Sequence, residues 1–164
     1  MPVCKPLPSR EELLELFEDS GNSVRWRERR SSSIKPGSEV TRRINGYYTV
    51  HLGDSYFLVH RILFKMRTGE EPSHIDHIDG NKLNNRQDNL RAATKAQNGW
   101  NRPIQKNSSS GVKNVTKCPR TGKWVVRIIA NGVRHNGGRF DDIYQAEIAA
   151  CQLRNKLHGE FAHD

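Results

Sequence analysis

The sequence predicts an α+β protein built as two small modules: a strand–loop–strand–helix unit led in by a hairpin, then a three-stranded sheet backed by one helix. Three observations carry this prediction. Only 34% of the 164 residues are apolar, too few for one large core. Short period-two alternations are interleaved with stretches of helical spacing, which places strands and helices in alternation along the chain. The stretch "RPIQKNSSSG" is Ser- and Asn-rich without apolar periodicity, so it reads as a linker splitting the chain near residue 107. The boundaries that follow are a helix-and-strand region over 1–43, a first module over 44–102, a linker over 103–110 and a second module over 111–164. The region 1–43 either belongs to the first module's core or adds contacts to its ligand.

Taken in order, "REELLELFE" sets Leu13, Leu14, Leu16 and Phe17 at helical spacing, and Ser9 with Glu12 makes a capping box, predicting a helix over 9–19. "SVRWRERR" alternates as a strand does. "INGYYTVHLGDSYFLVHRILFKMRTG" reads as a hairpin turning at Gly53-Asp54 and running into a helix over 60–68. "HIDHI" is a short strand anchored by Ile75 and Ile78, with the residues between them facing outward. Asp79-Gly80 then turns the chain, "NKLNNRQD" is a polar loop, and "NLRAA" returns as a second strand. Thr94 and Gln97 form another capping box, starting a helix through "KAQNGWN". Beyond the linker, Asn131-Gly132 between two alternating runs is a strong hairpin signal. Pairing across it sets Ile129 opposite Arg134 and Arg127 opposite Asn136, with Trp124, Val126 and Ile128 on the core face. Ala146, Ala149, Ala150, Leu153 and Leu157 form one stripe of a final helix capped at Gly159.

Charge narrows the partner. Twenty-seven Lys and Arg against eighteen Asp and Glu give +9, which favours a polyanion and above all nucleic acid. From Arg102 to Phe140 there are nine bases and no acid, while the first twenty residues carry five acids and two bases, so the carboxyl half is the electrostatic footprint. No apolar run approaches the roughly 18 residues of a membrane span, and the amino terminus lacks a signal-peptide core, so a soluble, cytoplasmic protein is expected. Cys4, Cys118 and Cys151 show no C-x-x-C spacing, leaving oxygen and imidazole as the donors for any metal.

The stretch "PSHIDHIDGNKLNNRQDNLRAATKAQNGWNR" concentrates the chemistry. A strand, loop, strand and helix in succession bring Asp76 and His77, at the end of the first strand, toward Asn98 on the helix, where asparagine goes against its propensity. Asp76 carboxylate and Asn98 carbonyl are hard ligands for one divalent ion, Mg²⁺ or Mn²⁺, and two protein ligands leave positions for water and a substrate phosphate. His77 is placed to take a proton from an attacking water. The chemistry this points to is metal-assisted phosphodiester hydrolysis. His74 reads as a solvated strand-edge residue or an accessory group, Asp79 as a turn residue, and Asn81, Asn84 and Asn85 as loop formers. His51, His135, His158 and His163 show no partner pattern.

"IDHIDGNKLNNRQDNLRAATKAQNGWNR", with the preceding "YYTVHLGDSYFLVHRILFKM", resembles the HNH homing-endonuclease family of phages and bacteria over about residues 44–102. The resemblance implies a ββα-metal nuclease module in which Asp76 and Asn98 are metal ligands, His77 the general base, and Asn89 the asparagine that steadies the loop bearing His77. His60, in "VHRI", matches a recurrent family histidine and is an accessory candidate. Residues 108–162 resemble the AP-two/ERF DNA-binding domain through "SGVKNV", "GKWVVRI" and "GRFDDIYQAEIAA…KLHGEFA". That likeness implies a sheet face entering the major groove of double-stranded DNA through Lys113, Arg127, Ile129, Arg134 and Asn136, with Lys117, Arg120, Lys123 and Arg139 completing the basic footprint. The sequence departs from that family at Asn136, where plant members have tryptophan, at Ile129, where they often have arginine, and in a longer first hairpin. The expected protein is a phage-type endonuclease, monomer or weak dimer, acting in the bacterial cytoplasm. The alternative is a DNA-binding or regulatory protein whose HNH module has lost cleavage.

Overall fold

A computed structural model describes residues 5–105 and 107–162; Cys4 and His163 lie outside them. The chain divides into two compact units, Met1–Ala92 and Ala93–Asp164.

The first unit starts with α1 (Arg10–Leu16), and its capping box forms as predicted: the Ser9 hydroxyl accepts from the Glu12 N–H at 3.1 Å, and the Glu12 carboxylate accepts from the Ser9 N–H at 2.7 Å. The helix ends at Leu16 and not at 19. Phe17 turns extended, and β1 (Phe17–Asp19) pairs antiparallel with β2 (Val24–Trp26), so only the start of "SVRWRERR" is strand. Tertiary packing overrides helical spacing here, because the extended backbone carries Phe17 onto Trp26, ring centroids 4.7 Å apart, and Asp19 onto Arg67. Leu13, Phe17, Val24, Val59, Ile62 and Leu63 are fully enclosed. At roughly 1.5–3 kcal/mol per large apolar side chain buried, they are the unit's main source of stability. The amino-terminal region therefore belongs to the core of the first unit.

β3 (Arg43–Ile44), β4 (Tyr47–Leu52) and β5 (Ser55–Leu58) form one sheet in that order, with the predicted turn at Gly53-Asp54 and Gly53 at φ +56°. The chain passes directly into α2 (Val59–Thr68), which Gly69 ends in the left-handed region. Phe64 of α2 packs with Ile75 and Leu90, fastening the two-stranded sheet of β6 (His74–His77) and β7 (Leu90–Ala93) to the helix. Arg67, on the last turn of α2, donates to both Asp19 oxygens at 2.7 and 2.9 Å, and at 2.8 Å each to the carbonyls of Gly21 and Asn85. One guanidinium thus ties the β1–β2 turn to the loop after β6, and its hydrogen bonds hold the Asp19 carboxyl below its ordinary range.

In the second unit Thr94 caps α3 (Lys95–Trp100) through the expected box with Gln97. The Trp100 ring stacks on His158, centroids 4.4 Å apart and 6° from parallel, and the Lys113 ammonium donates to the Trp100 carbonyl at 2.9 Å. β8 (Val115–Lys117), β9 (Trp124–Ala130) and β10 (Val133–Phe140) form an antiparallel sheet in the order β10-β9-β8. Asn131 and Gly132 both take positive φ, +51° and +79°, as a tight hairpin requires, and the register sets Ile129 opposite Arg134 and Arg127 opposite Asn136.

α4 (Ile143–His158) is capped by Asp142 and lies against this sheet, with Ala146 and Ala150 fully enclosed beside Val115 and Val126. At Gly137 of β10 a Cβ would come within 2.5 Å of Val126 Cγ1 and 3.1 Å of Leu153 Cδ2, so only glycine lets strand and helix approach this closely. The predicted apolar stripe changes character toward its end: Leu153 and Leu157 are half-buried, while Arg154 and His158 are buried. Arg154 donates to the Lys113 carbonyl at 3.0 Å and His158 carries the Trp100 stack, so both are drawn inward by partners outside the helix. Among the described residues no helix is long and apolar enough to cross a membrane.

Candidate functional site

β6 ends on Asp76 and His77, and both are buried, at 3% and 6% exposure. The expected arrangement, with these two facing outward between anchoring isoleucines, holds for Ile75 only; Ile78 is 42% exposed. Polar partners inside the unit account for the inversion. Asp76 Oδ2 accepts from Arg91 Nε at 3.0 Å and from Arg91 Nη2 at 2.8 Å, across to β7. A carboxylate this enclosed is costly to bury unless it is paired and hydrogen-bonded, and Arg91 provides both.

His77 sits in a small aromatic enclosure. Its Nε2 is 3.0 Å from Asn85 Oδ1. The His60 ring, from α2, meets it edge-on with centroids 5.0 Å apart, and the Tyr47 ring, from β4, lies 6.2 Å from His77 and 5.3 Å from His60. Lys82 places its ammonium 4.6 Å over Tyr47. Burial pushes His60 down from 6.5 to about 3, with the nearby His77 and Arg61 charges adding to the effect. His60 is therefore neutral near pH 7. Because its folded pKa lies below its unfolded one, the unfolded chain takes up the proton first; the contribution to stability is complete above about 6.5 and is lost as pH falls toward about 3. His60→Asn is expected to flatten the thermal-stability profile between roughly pH 6.5 and 4.5, above the range in which Asp19 titrates. Parallel profiles for the two proteins contradict a neutral, buried His60.

Asn89 closes the loop. Its Oδ1 accepts from the Asp79 N–H at 3.0 Å, and its Nδ2 donates to Asp79 Oδ1 at 2.9 Å and to the Asn84 carbonyl at 2.7 Å. Asp79 in turn accepts from the Asn81 N–H and from Asn84 Nδ2, and Asn81 Oδ1 accepts from the Leu83 N–H. Asn81, Asn84 and Asp79 thus shape the turn as expected. Asn85 does more than form loop: it is 1% exposed and reaches both His77 and the amino-terminal β1–β2 turn. His74 is half-buried at the start of β6, with Nδ1 3.3 Å from Ser73 Oγ. Asn98 is half-buried on α3, in the second unit.

On the outward face of the second unit, Arg127, Arg134, Asn136 and Arg139 line a concavity of about 380 Å³ beside the shift in register near Asn136 and Gly138. Ile129, on the same face, is 60% exposed. The other predicted bases lie elsewhere: Lys117 places its ammonium 5.3 Å over Trp124, Lys123 pairs with Asp141 at 3.0 Å, Lys113 points to the Trp100 carbonyl, and Arg120 is exposed in the β8–β9 loop.

Among the described residues no three His, Cys, Asp or Glu side chains gather as a metal-holding group. The donor set expected from the sequence is one carboxylate, Asp76, and one amide carbonyl, Asn98. Such hard oxygens fit an ion of the Mg²⁺ or Mn²⁺ class that takes its remaining ligands from water and phosphate. An ion on Asp76 would share that carboxylate with Arg91.

Residues 57–100 match a family described as HNH endonuclease. The chain is 38% identical to protein 3.8 of Escherichia phage T7 over 89 residues, covering 54% of this chain and 73% of that protein. It is also 36% identical over 107 residues to an uncharacterized HNH endonuclease of Acanthamoeba polyphaga mimivirus, covering 63% of this chain and 54% of the other, so it spans about half that protein's length. No solved structure matches.

Proposed function

We propose that this chain, which belongs to one family with protein 3.8 of Escherichia phage T7 and carries an HNH endonuclease domain, is a divalent-metal-dependent nuclease hydrolysing phosphodiester bonds of double-stranded DNA. The observation that supports this best is the enclosure of His77, a proton acceptor that follows the buried Asp76 at the end of β6 and lies within the HNH-matching residues. His77 takes the proton of the attacking water. Asn89 keeps the loop after His77 in one conformation through its three hydrogen bonds, so the imidazole and the phosphate meet at low entropic cost. Asp76 and Asn98 would hold one Mg²⁺ or Mn²⁺, and such an ion would supply charge neutralisation at the phosphate and the leaving oxygen. Neutral His60 walls the base on one side without adding a competing charge, and the Tyr47 ring lies against it.

The outward face of β9 and β10, through Arg127, Arg134, Asn136 and Arg139, anchors the duplex, as the sequence resemblance of residues 108–162 to the AP-two/ERF domain implies. One nuclease site engages one strand at a time, so a nick is the primary product.

One observation favours the second reading, a non-catalytic DNA-binding protein: Arg91 already supplies Asp76 with a cation. Incubating the protein with supercoiled plasmid and Mg²⁺ or Mn²⁺ separates the two. Relaxed circles are expected; intact supercoils with a retained mobility shift favour the binding protein.

A further inference from the structure

Asn85 is among the most enclosed polar residues of the chain, at 1% exposure, and every polar end of it is engaged. Its backbone N–H donates to Asn22 Oδ1 at 2.6 Å, its side-chain Nδ2 donates to the Asn22 carbonyl at 3.0 Å, and its own carbonyl accepts from Arg67 Nη1 at 2.8 Å. These bonds determine which way the amide points. Nδ2 must face the Asn22 carbonyl, because the flipped amide would set oxygen against oxygen. Oδ1 is therefore the atom presented to His77 Nε2 at 3.0 Å. An amide oxygen only accepts, so the imidazole nitrogen facing it must be the one that carries a proton.

We propose that Asn85, locked by Asn22 and Arg67, is a positioning residue that holds His77 as the Nε2–H tautomer and so makes Nδ1 the nitrogen that receives the proton of the attacking water. This rests on the reading of His77 as the base. The ring's orientation follows from the same bond, as it does wherever the second nitrogen of a working histidine is tied to an acceptor. It also gives the amino-terminal segment a role beyond core formation. The β1–β2 turn reaches Asn85, and the base only through it, by Asn22 directly and by Asp19 and Gly21 by way of Arg67.

The test uses the full chain, metal-free and labelled with ¹⁵N-histidine, with two-bond ¹H–¹⁵N spectra recorded while the ring is neutral. The expected result is a protonated-type resonance at His77 Nε2 and a pyridine-type resonance at Nδ1. Asn85→Ala is expected to lose this single tautomer and to lower kcat for nicking by roughly 10- to 100-fold with little change in KM. A wild-type His77 protonated on Nδ1, in a protein that nicks DNA, overturns this inference and leaves the nuclease reading standing. The same Nε2–H signature in folded Asn85→Ala also overturns it, because the tautomer would then not depend on Asn85. A wild type that shows Nε2–H but cuts no DNA overturns the nuclease reading, and with it any catalytic role for Nδ1. The wild-type spectrum is decisive by itself if the alanine variant does not fold.

Discussion

His77→Ala is expected to lower DNA nicking by about 10²- to 10⁴-fold while leaving duplex affinity close to that of the native protein. The neighbouring imidazole is not fitted to replace the lost base. His60 lies closest, with ring centroids 5.0 Å apart, but burial holds it down to about 3, where it is too weak a base to drive the step. Affinity is spared because the proposed anchor is the β9–β10 face of the second unit, which carries Arg127, Arg134 and Arg139. The imidazole is buried among Tyr47, His60 and Asn85, so alanine leaves a cavity, and His77→Gln provides a filled control with no useful base. Measuring the single-turnover nicking rate together with a mobility-shift titration separates the two effects. Near-native nicking by either variant would remove His77 from the chemistry.

Replacing Arg127, Arg134 and Arg139 together with glutamine is expected to make the dependence of log affinity on log salt shallower by about 3, since each phosphate-contacting cation releases close to one counterion. Nicking should fall mainly through KM. Lys123→Gln is the matched control, because its ammonium already pairs with Asp141, and a smaller change in slope is expected from it. An unchanged slope in the triple variant would mean that the β9–β10 face does not meet the phosphates. Point replacement is cleaner than deleting the second module at the linker. α3, which carries Asn98, stacks its Trp100 on His158 near the end of the chain, so truncation would also strip the helix of its support.

Much of the local architecture was legible because it rests on local chemistry. Ser9 with Glu12 and Thr94 with Gln97 cap their helices through bonds spanning three residues. Asn131-Gly132 sets the hairpin register by backbone conformation alone. What stayed hidden depends on distant partners. Phe17 leaves the helical pattern because Trp26 and Arg67 wait for an extended chain. Asp76 and His77 turn inward because Arg91, Asn85, His60 and Tyr47 come from four different elements to receive them. Asp76 and His77 stand out at the end of a predicted strand and Asn89 through the family resemblance, whereas Asn85, second of an Asn-Asn pair inside a polar loop, carried no signal to set it apart from its neighbours. Arg91 had a faint one, a lone base on the strand returning beside an acid. On β10, Gly137 reads as a weak strand former until α4 is seen packed against it.

Metal add-back tests most directly whether this chain is a metal-dependent nuclease centred on His77. Protein stripped with EDTA and returned to metal-free buffer is mixed with supercoiled plasmid, and nicking is followed before and after Mg²⁺ or Mn²⁺ is restored. The prediction is no relaxation without metal and steady conversion to open circles once either ion is added. Plasmid that stays supercoiled with both ions while bound by the protein, or that is nicked equally well in EDTA, would contradict it.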